Sequence, residues 1–523
     1  MESSGGGFMS DIFSRQRGLV DQEKVENLKV AFLDEGAMPL AYKESMIQIA
    51  QQLGVTNFPS PIARSSYEIS WAHESIDAET VSNASSLFVA YGRDGVFLDG
   101  TACPEPVPSI FVPSVATIAA CLTWSEILRR ANCYTPVDIP KVSVSVNVRV
   151  NEPSMRGNIQ TLEFNLEGIE SHNNIRSVDD NTGHKRVLMR LDEQNSLVQE
   201  LLQKLKISGG EENINPKFPS MRFTLPPPQF PPTGHLTIVG AGGLGTWALN
   251  SLVNGLKNTD FGEIHLLVFD KDMEVEKHNL NRQVIFSETD IGRPKIEAAK
   301  DWLNRNLPAA NISIAYELHD GLLQDVGGPL EINENEGFSL EELLGEPEKI
   351  FDNNYGILND CEIRSQLEQT DVILGCLDAM RPRVLADLIA ARKNQPYVNG
   401  GVTGLFAQYS EFSNTNLVET YGPSVARDRV VYSCQEDGDV PLSSLAITNA
   451  FVGSLQAIAA LQRLTGQKSA SIGSVNWDAR YNEVYCNLSE GEIERQGGVA
   501  ALEDALWKTE SSSKTKVIEE ISV

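Results

Sequence analysis

Thr237-Ile238-Val239-Gly240-Ala241-Gly242-Gly243-Leu244-Gly245 decides how this chain is read. An apolar stretch running into closely spaced glycines predicts a strand that turns directly into a helix, leaving unpaired backbone N–H groups at the turn. Those groups and the helix dipole favour a phosphate there. A second apolar run, Ile264-His265-Leu266-Leu267-Val268-Phe269, ends at Asp270, where a carboxylate can accept ribose hydroxyls. Strand, glycine turn, helix, strand and acid together predict an α/β, doubly wound, Rossmann-like fold with a nucleotide at the strand ends.

Glycine spacing alone also fits dehydrogenases, flavoproteins and chance turns. The block Asn279-Leu280-Asn281-Arg282-Gln283 discriminates among them. A nicotinamide enzyme needs no such cluster beyond its ribose acid, whereas an enzyme that splits ATP needs cations around the departing pyrophosphate. Arg282 and Lys295, the latter in Gly292-Arg293-Pro294-Lys295, are suited to supply them. The alternative for both is an ordinary surface location.

These motifs, with Asp270-Lys271-Asp272 and the strand-end acid of Asp371-Val372-Ile373-Leu374-Gly375-Cys376-Leu377-Asp378, resemble the ThiF-type adenylation domain of ubiquitin-activating (E1) enzymes. They equally resemble the relatives of those enzymes that activate small sulfur-carrier proteins. The resemblance runs from about Gly234 to Tyr485. It implies ATP and Mg²⁺ as cofactors, and attack by a partner's C-terminal carboxylate on the α-phosphate to give an acyl adenylate and pyrophosphate. Gly240, Gly242, Gly243 and Gly245 would let the backbone approach the nucleotide, and Asp270 would hold the ribose. Asn279, Arg282, Lys295 and Asp378 match the family's triphosphate and magnesium positions, Asp378 as the metal ligand; Asp272 and Gln283 belong to the same nucleotide-binding set. Asp378 also reads as a helix N-cap for Ala379 onward. The glycine-rich Asn399-Gly400-Gly401-Val402-Thr403-Gly404 reads either as the lining of a channel for the partner's tail or as a plain turn.

The segment Asp428-Arg429-Val430-Val431-Tyr432-Ser433-Cys434 is similar to the catalytic-cysteine region of autophagy-type activating enzymes, which implies that Cys434 takes the acyl group as a thioester. Glu436, Asp437 and Asp439 argue against an activated thiol, since they raise its pKa, and a buried structural cysteine is the alternative. Cys361 is a second candidate; Cys376 in an apolar strand and Cys121 in an apolar helix read as core.

The residues before the glycine turn look like a worn copy of those after it. Lys29-Val30-Ala31-Phe32-Leu33 reads as an opening strand, but the glycine loop is replaced by Asp34-Glu35-Gly36-Ala37-Met38-Pro39, whose carboxylates repel phosphate. Ser86 to Gly92 stands in the place of the Asp371 to Asp378 strand, Ala116 to Arg130 matches a helix from Leu445 to Leu461, and Pro140 to Leu166 reads as β-strand. Phe13-Ser14-Arg15-Gln16-Arg17-Gly18 is similar to the family's N-terminal element that lends an arginine to a neighbouring ATP site. That makes Arg15 the candidate; the alternative is a solvated arginine on a first helix. The expected domains are a tail at 1–10, an inactive adenylation-like half at 11–206 ending in a helix from Leu191 to Leu205, and a proline- and glycine-rich linker at 207–233. An active half follows at 234–507, then a tail at 508–523.

The formal net charge of −28 argues against nucleic acid or an anionic membrane as partner. Ser109 to Trp124, the longest apolar run, reads as too short to span a bilayer. Met1 to Gly7 has no signal-peptide pattern, and seven scattered cysteines suit a reducing cytoplasm. Paired CxxC motifs are missing, so zinc is not expected. No C-terminal ubiquitin-like fold is expected after Glu483 to Asn487. The two-half arrangement is most like the activating enzymes of bacterial ubiquitin-like conjugation operons of antiphage defence. Its implied partners are a ubiquitin-like protein ending in glycine and an E2-like conjugating enzyme, with a pseudodimer inside the chain that is itself monomer or homodimer. A sulfur-carrier or peptide adenylating enzyme is the second reading; an inactive scaffold or NAD-dependent oxidoreductase is the third.

Overall fold

Apolar runs bounded by glycine, proline and polar turns become strands, and longer apolar or amphipathic stretches become helices, in a computed structural model of the chain. It describes residues 12–16, 18–33, 38–58, 67–71, 86–98, 105–135, 142–149, 175–179, 184–191, 221–270, 274–307, 312–316, 369–377, 380–413, 417, 436–437, 440–441, 444–467, 474–480 and 482–486. Two compact units divide the chain. The first comprises residues 1–135, 216–416 and 425–492; the second comprises 136–215, 417–424 and 493–523.

The first unit opens with α1 (Gln22–Glu26), β1 (Val30–Phe32), α2 (Leu40–Leu53), β2 (Tyr67–Trp71), β3 (Ser86–Gly92) and β4 (Gly95–Leu98). β1, β2 and β3 are parallel, and β4 returns antiparallel through a two-residue turn. Then comes α3 (Val112–Arg130), which continues a short 3₁₀ turn at Ser109–Phe111. The run from Ser109 to Arg130 is long and apolar enough to cross a membrane, which corrects the shorter reading from sequence. It is nonetheless a core helix. Pro113 through Leu128 are all buried, and two of its hydroxyls bond within the helix, Thr117 and Thr123 donating to the Pro113 and Ala119 carbonyls. Its C-terminal end at Arg130 is the one the sequence expected, and there Arg129 and Arg130 both pair with Glu126.

In the second unit β5 (Val142–Arg149), β6 (Ile175–Asp179) and β7 (His184–Leu191) form an antiparallel sheet in the order β5-β7-β6. The sequence placed strand structure at the first of these. β8 (Met221–Arg222) belongs to the first unit, where it pairs with Gly95–Val96 of β4, although it lies within the stretch read as linker.

The larger sheet of the first unit follows. β9 (Gly234–Val239) leads into α4 (Gly243–Lys257), β10 (Ile264–Phe269), α5 (Lys295–Asn306), β11 (Ile312–Tyr316), β12 (Val372–Gly375), α6 (Met380–Arg392), β13 (Tyr397–Thr403) and β14 (Phe406–Phe412). After the small hairpin of β15 (Glu436–Asp437) and β16 (Val440–Pro441) come α7 (Ala446–Leu464), β17 (Val475–Asp478) and β18 (Glu483–Cys486). The sheet order is β11-β10-β9-β12-β13-β14-β17-β18, parallel from β11 to β13 and antiparallel beyond. This is the expected α/β, Rossmann-like arrangement.

The order parallel strand, two-residue turn, antiparallel strand, 19-residue helix, returning strand occurs twice in this unit, as β3-β4-α3-β8 and as β13-β14-α7-β17. β3 therefore holds the topological place of β13, not that of β12 as expected. α3 and α7 pack on each other. The Ser125 hydroxyl is hydrogen-bonded to the Ala479 carbonyl, and the Asn482 amide donates to the Leu122 carbonyl at 3.0 Å. Trp124, Trp247 and Trp477 are fully buried, each contributing roughly 4–6 kcal/mol of gross hydrophobic stabilisation.

Candidate nucleotide site

β9 lies between β10 and β12, and the chain leaves it to α4 while the connections of its two neighbours run onward to opposite edges of the sheet. Such a reversal of strand order opens a crevice beyond the carboxyl ends of the strands. The glycine turn fills its rim. Gly240 has φ +103°, and a Cβ there would meet the Cys376 carbonyl oxygen at 2.5 Å. A Cβ on Gly245 would run into the Gly240 carbonyl, so α4 can start this close to β9 only with glycine. Gly242 is the N-cap of α4 and has no side chain to satisfy the first N–H groups; the space where its Cβ would stand is open. The turn is tied down from β10, where Gly240 N donates to the Phe269 carbonyl at 2.7 Å and Ala241 N donates to Asp270 Oδ2.

The polar block lies beside this turn. Asn279, Asn281, Arg282 and Gln283 are all buried. The chain reverses there because the backbone N–H of Gln283 bonds to the Asn279 carbonyl, and Asn279 Oδ1 accepts the Gln283 amide at 2.9 Å. Arg282 runs past Gly243, its Cγ 3.5 Å from where a Cβ on that glycine would stand. One of its terminal nitrogens donates to the His278 carbonyl and Asn281 Oδ1, while Nε is buried with no partner. Asn281 Nδ2 and Gln283 Oε1 are likewise buried and unpaired. Buried polar atoms without partners are uncommon in a folded protein, and three in one turn leave two donors and an acceptor that a polar ligand could satisfy. Lys295, buried at the first position of α5, directly follows Pro294.

A 3₁₀ turn at Phe13–Gln16 carries the backbone of Arg15 and packs against the turn at Lys277–Asn279. Gln16 anchors it, donating Nε2 to the Gln52 carbonyl at 2.8 Å at the end of α2. The N-terminal element thus lies beside the block that holds Asn279.

Beyond β12 the structure shows residues that sequence reasoning missed. Arg383 of α6 is 1% exposed and donates Nε to the Leu377 carbonyl at 2.9 Å, just before Asp378. Asp387, one turn later, is equally buried. Gln456 of α7 donates Nε2 to the Gly375 and Val398 carbonyls at 3.0 Å each, bridging the last residue of β12 and the early part of β13. A buried charge on an apolar helix gives no sequence signal until its partner is in place. Asn399 to Thr403 are part of strand β13 rather than a turn, and the reversal comes at Gly404 and Leu405. Asn399 is buried, with its Oδ1 unpaired.

The profile of the ThiF family matches residues 233–485. These residues are a ThiF family domain. The molybdopterin-synthase adenylyltransferase of Escherichia coli (strain K12) is 26% identical over 271 residues, which are 50% of this chain and 84% of that protein. A Nedd8-activating enzyme E1 catalytic subunit of Drosophila melanogaster is 38% identical over 76 residues, 14% of this chain and 15% of the relative. A crystal structure of E. coli MccB with succinimide is 18% identical with a TM-score of 0.31, over 49% of this chain and 63% of that one.

Several expected site residues of the ThiF domain lie outside the described residues: Asp272, Asp378 and Cys434, together with Cys361 and the side chain of Arg15. So do Asp34 to Ala37, residues 192–205 of the expected helix and both tails, while Leu191, expected to begin that helix, instead ends strand β7. Within the ThiF domain Cys376 is a free, buried thiol; burial pushes it up to about 12, and Arg383 and the Gln456 amide offset this only in part. Cys121 is likewise pushed well up by burial. Neither is a nucleophile at neutral pH.

Proposed function

We propose that this chain activates the C-terminal carboxylate of a ubiquitin-like protein with ATP. The observation that carries the reading is the crevice between the α4 N-terminus and the turn at Asn279–Gln283, where Asn281, Arg282 and Gln283 each keep a buried polar atom unpaired. A triphosphate presents oxygens that suit the N–H donors of Arg282, Asn281 and the glycine turn. In the reaction a carboxylate oxygen of the carrier forms a bond to the α-phosphorus, the bond from that phosphorus to the β-phosphate oxygen breaks, and pyrophosphate leaves. Arg282 and Lys295 stabilise the charge that collects on the departing group. Arg15, carried beside this turn by the 3₁₀ element, adds a third cation. Asp378 would hold Mg²⁺ and Asp272 would serve the nucleotide.

In the second step the Cys434 thiolate attacks the acyl carbon, AMP departs, and the thioester is passed to an E2-like enzyme. The N-terminal residues would then be an adenylation-like half that lost its phosphate turn, a reading supported by the repeated β3-β4-α3-β8 order. We extend the reading to an activating enzyme of bacterial conjugation operons of antiphage defence, which the expected two-half arrangement resembles. Free buried thiols at Cys121, Cys133 and Cys376 suit a cytoplasmic location.

A second reading, adenylation of a sulfur carrier without a thioester, is favoured by the likeness to molybdopterin-synthase adenylyltransferase. The test is ATP–pyrophosphate exchange by the full chain with β-grasp proteins ending in glycine, followed by Cys434→Ala. Exchange that survives with loss of a thiol-sensitive carrier adduct supports the first reading. If exchange and product formation are both unchanged, the sulfur-carrier reading replaces it. NAD binding with no exchange for any carrier would sink both.

A further inference from the structure

The glycine turn and the Asn279–Gln283 block reach the crevice from different parts of the chain, and one side chain joins them. Thr246, on the first turn of α4, is 0% exposed. Its hydroxyl donates back to the Gly242 carbonyl at 2.8 Å, with Gly243 O at 3.1 Å sharing the proton, and accepts the backbone N–H of Val284 at 3.3 Å. Val284 directly follows Gln283. The same hydroxyl therefore holds the two glycines at the α4 N-terminus and the residue that closes the polar block. Other contacts bring the two segments together, such as the packing of Arg282 past Gly243, but a side chain sliding over a glycine fixes no distance.

We infer that Thr246 is a positioning residue that sets the spacing between the glycine turn and Arg282 for the phosphates of the nucleotide. The inference rests on the nucleotide reading above. A hydroxyl is suited to the task because it accepts and donates at once. Carbonyl and N–H partners on the two motifs can share it without an added charge that would compete for the phosphate. Valine has the same shape but neither capacity. Serine retains both.

The experiment compares the full-length protein with Thr246→Val and Thr246→Ser. Binding of Mg-ATP is measured by calorimetry and binding of adenosine by saturation-transfer NMR. Thr246→Val is expected to weaken ATP about tenfold, the scale of one lost hydrogen bond, while adenosine binding stays within about twofold of the parent protein because the spacing concerns the phosphates. Thr246→Ser is expected to restore ATP binding. Equal ATP affinity in Thr246→Val and the parent protein overturns the inference, as does a parallel loss of adenosine, which marks general damage to the fold. Failure of serine to restore ATP binding overturns it as well. If the unmodified protein binds no ATP, the nucleotide reading itself fails, a result distinct from these.

Discussion

The Asp270 carboxylate accepts the backbone N–H of Ala241, so the acid at the end of β10 holds the glycine turn at the end of β9. An acid expected to meet a ribose thus also shapes the phosphate cradle. Replacing Asp270 by Ala strands the Ala241 N–H in a buried position, which costs about 1–3 kcal/mol. We expect a lowered melting temperature and lost ATP binding. Asp270→Asn keeps an acceptor; thermal melting should be nearly normal while calorimetry still shows weakened nucleotide binding. Normal ATP affinity in the Asn variant would remove the ribose role.

Arg282 sits in the turn with its Nε unpaired, and its fork cannot be copied by a point charge. Arg282→Lys should keep the fold and reduce carrier-dependent pyrophosphate exchange by about 10²–10³-fold, the range for removing one preorganised donor to a developing charge. Exchange within a few-fold of the parent would show that the guanidinium does not meet the reacting phosphates.

Gly245 leaves no room for a methyl group, since a Cβ would overlap the Gly240 carbonyl. Gly245→Ala should destabilise by about 1–3 kcal/mol as the backbone shifts. Gly242→Ala, which meets nothing, should melt near the parent protein. The pair, followed by circular dichroism, separates a steric requirement from a general preference for glycine.

Stability should fall on acidification in part through Glu126. Burial pushes its carboxyl up, but hydrogen bonds from Arg129 and Arg130, and their charges, outweigh that and hold it below its ordinary value of 4.5. A depressed folded-state value means the contribution is present above the unfolded value and is lost as pH falls through the folded one. Glu126→Gln should flatten the decline in melting temperature below about pH 4.5. Asp290, held down by Ser287 and Arg293, leaves a residual slope of the same sign.

Local pattern made much of this fold legible. The run Ile264–Phe269 between polar residues is a strand with those bounds, and the glycine turn could be read because its sterics are carried by adjacent residues. Features that depend on distant partners were not legible. Met221–Arg222 is a strand only because β4 offers an edge, and nothing in a proline-rich stretch announces that. Gln456 and Thr246 act on a carbonyl and an N–H group far away in sequence, and Arg383 folds back across the β12–α6 connection to Leu377, so their types alone say little.

The burial of α3 has a consequence for how the chain is made. Its apolar surface is covered in part by α7, which begins roughly 330 residues later. At translation rates of about 5–20 residues per second, that cover arrives some tens of seconds after α3 leaves the ribosome. For that interval a segment with the length and composition of a membrane span is without its final neighbour. In that interval α2, β3 and β4, which precede α3 in the chain and pack on it, are the neighbours available to cover it.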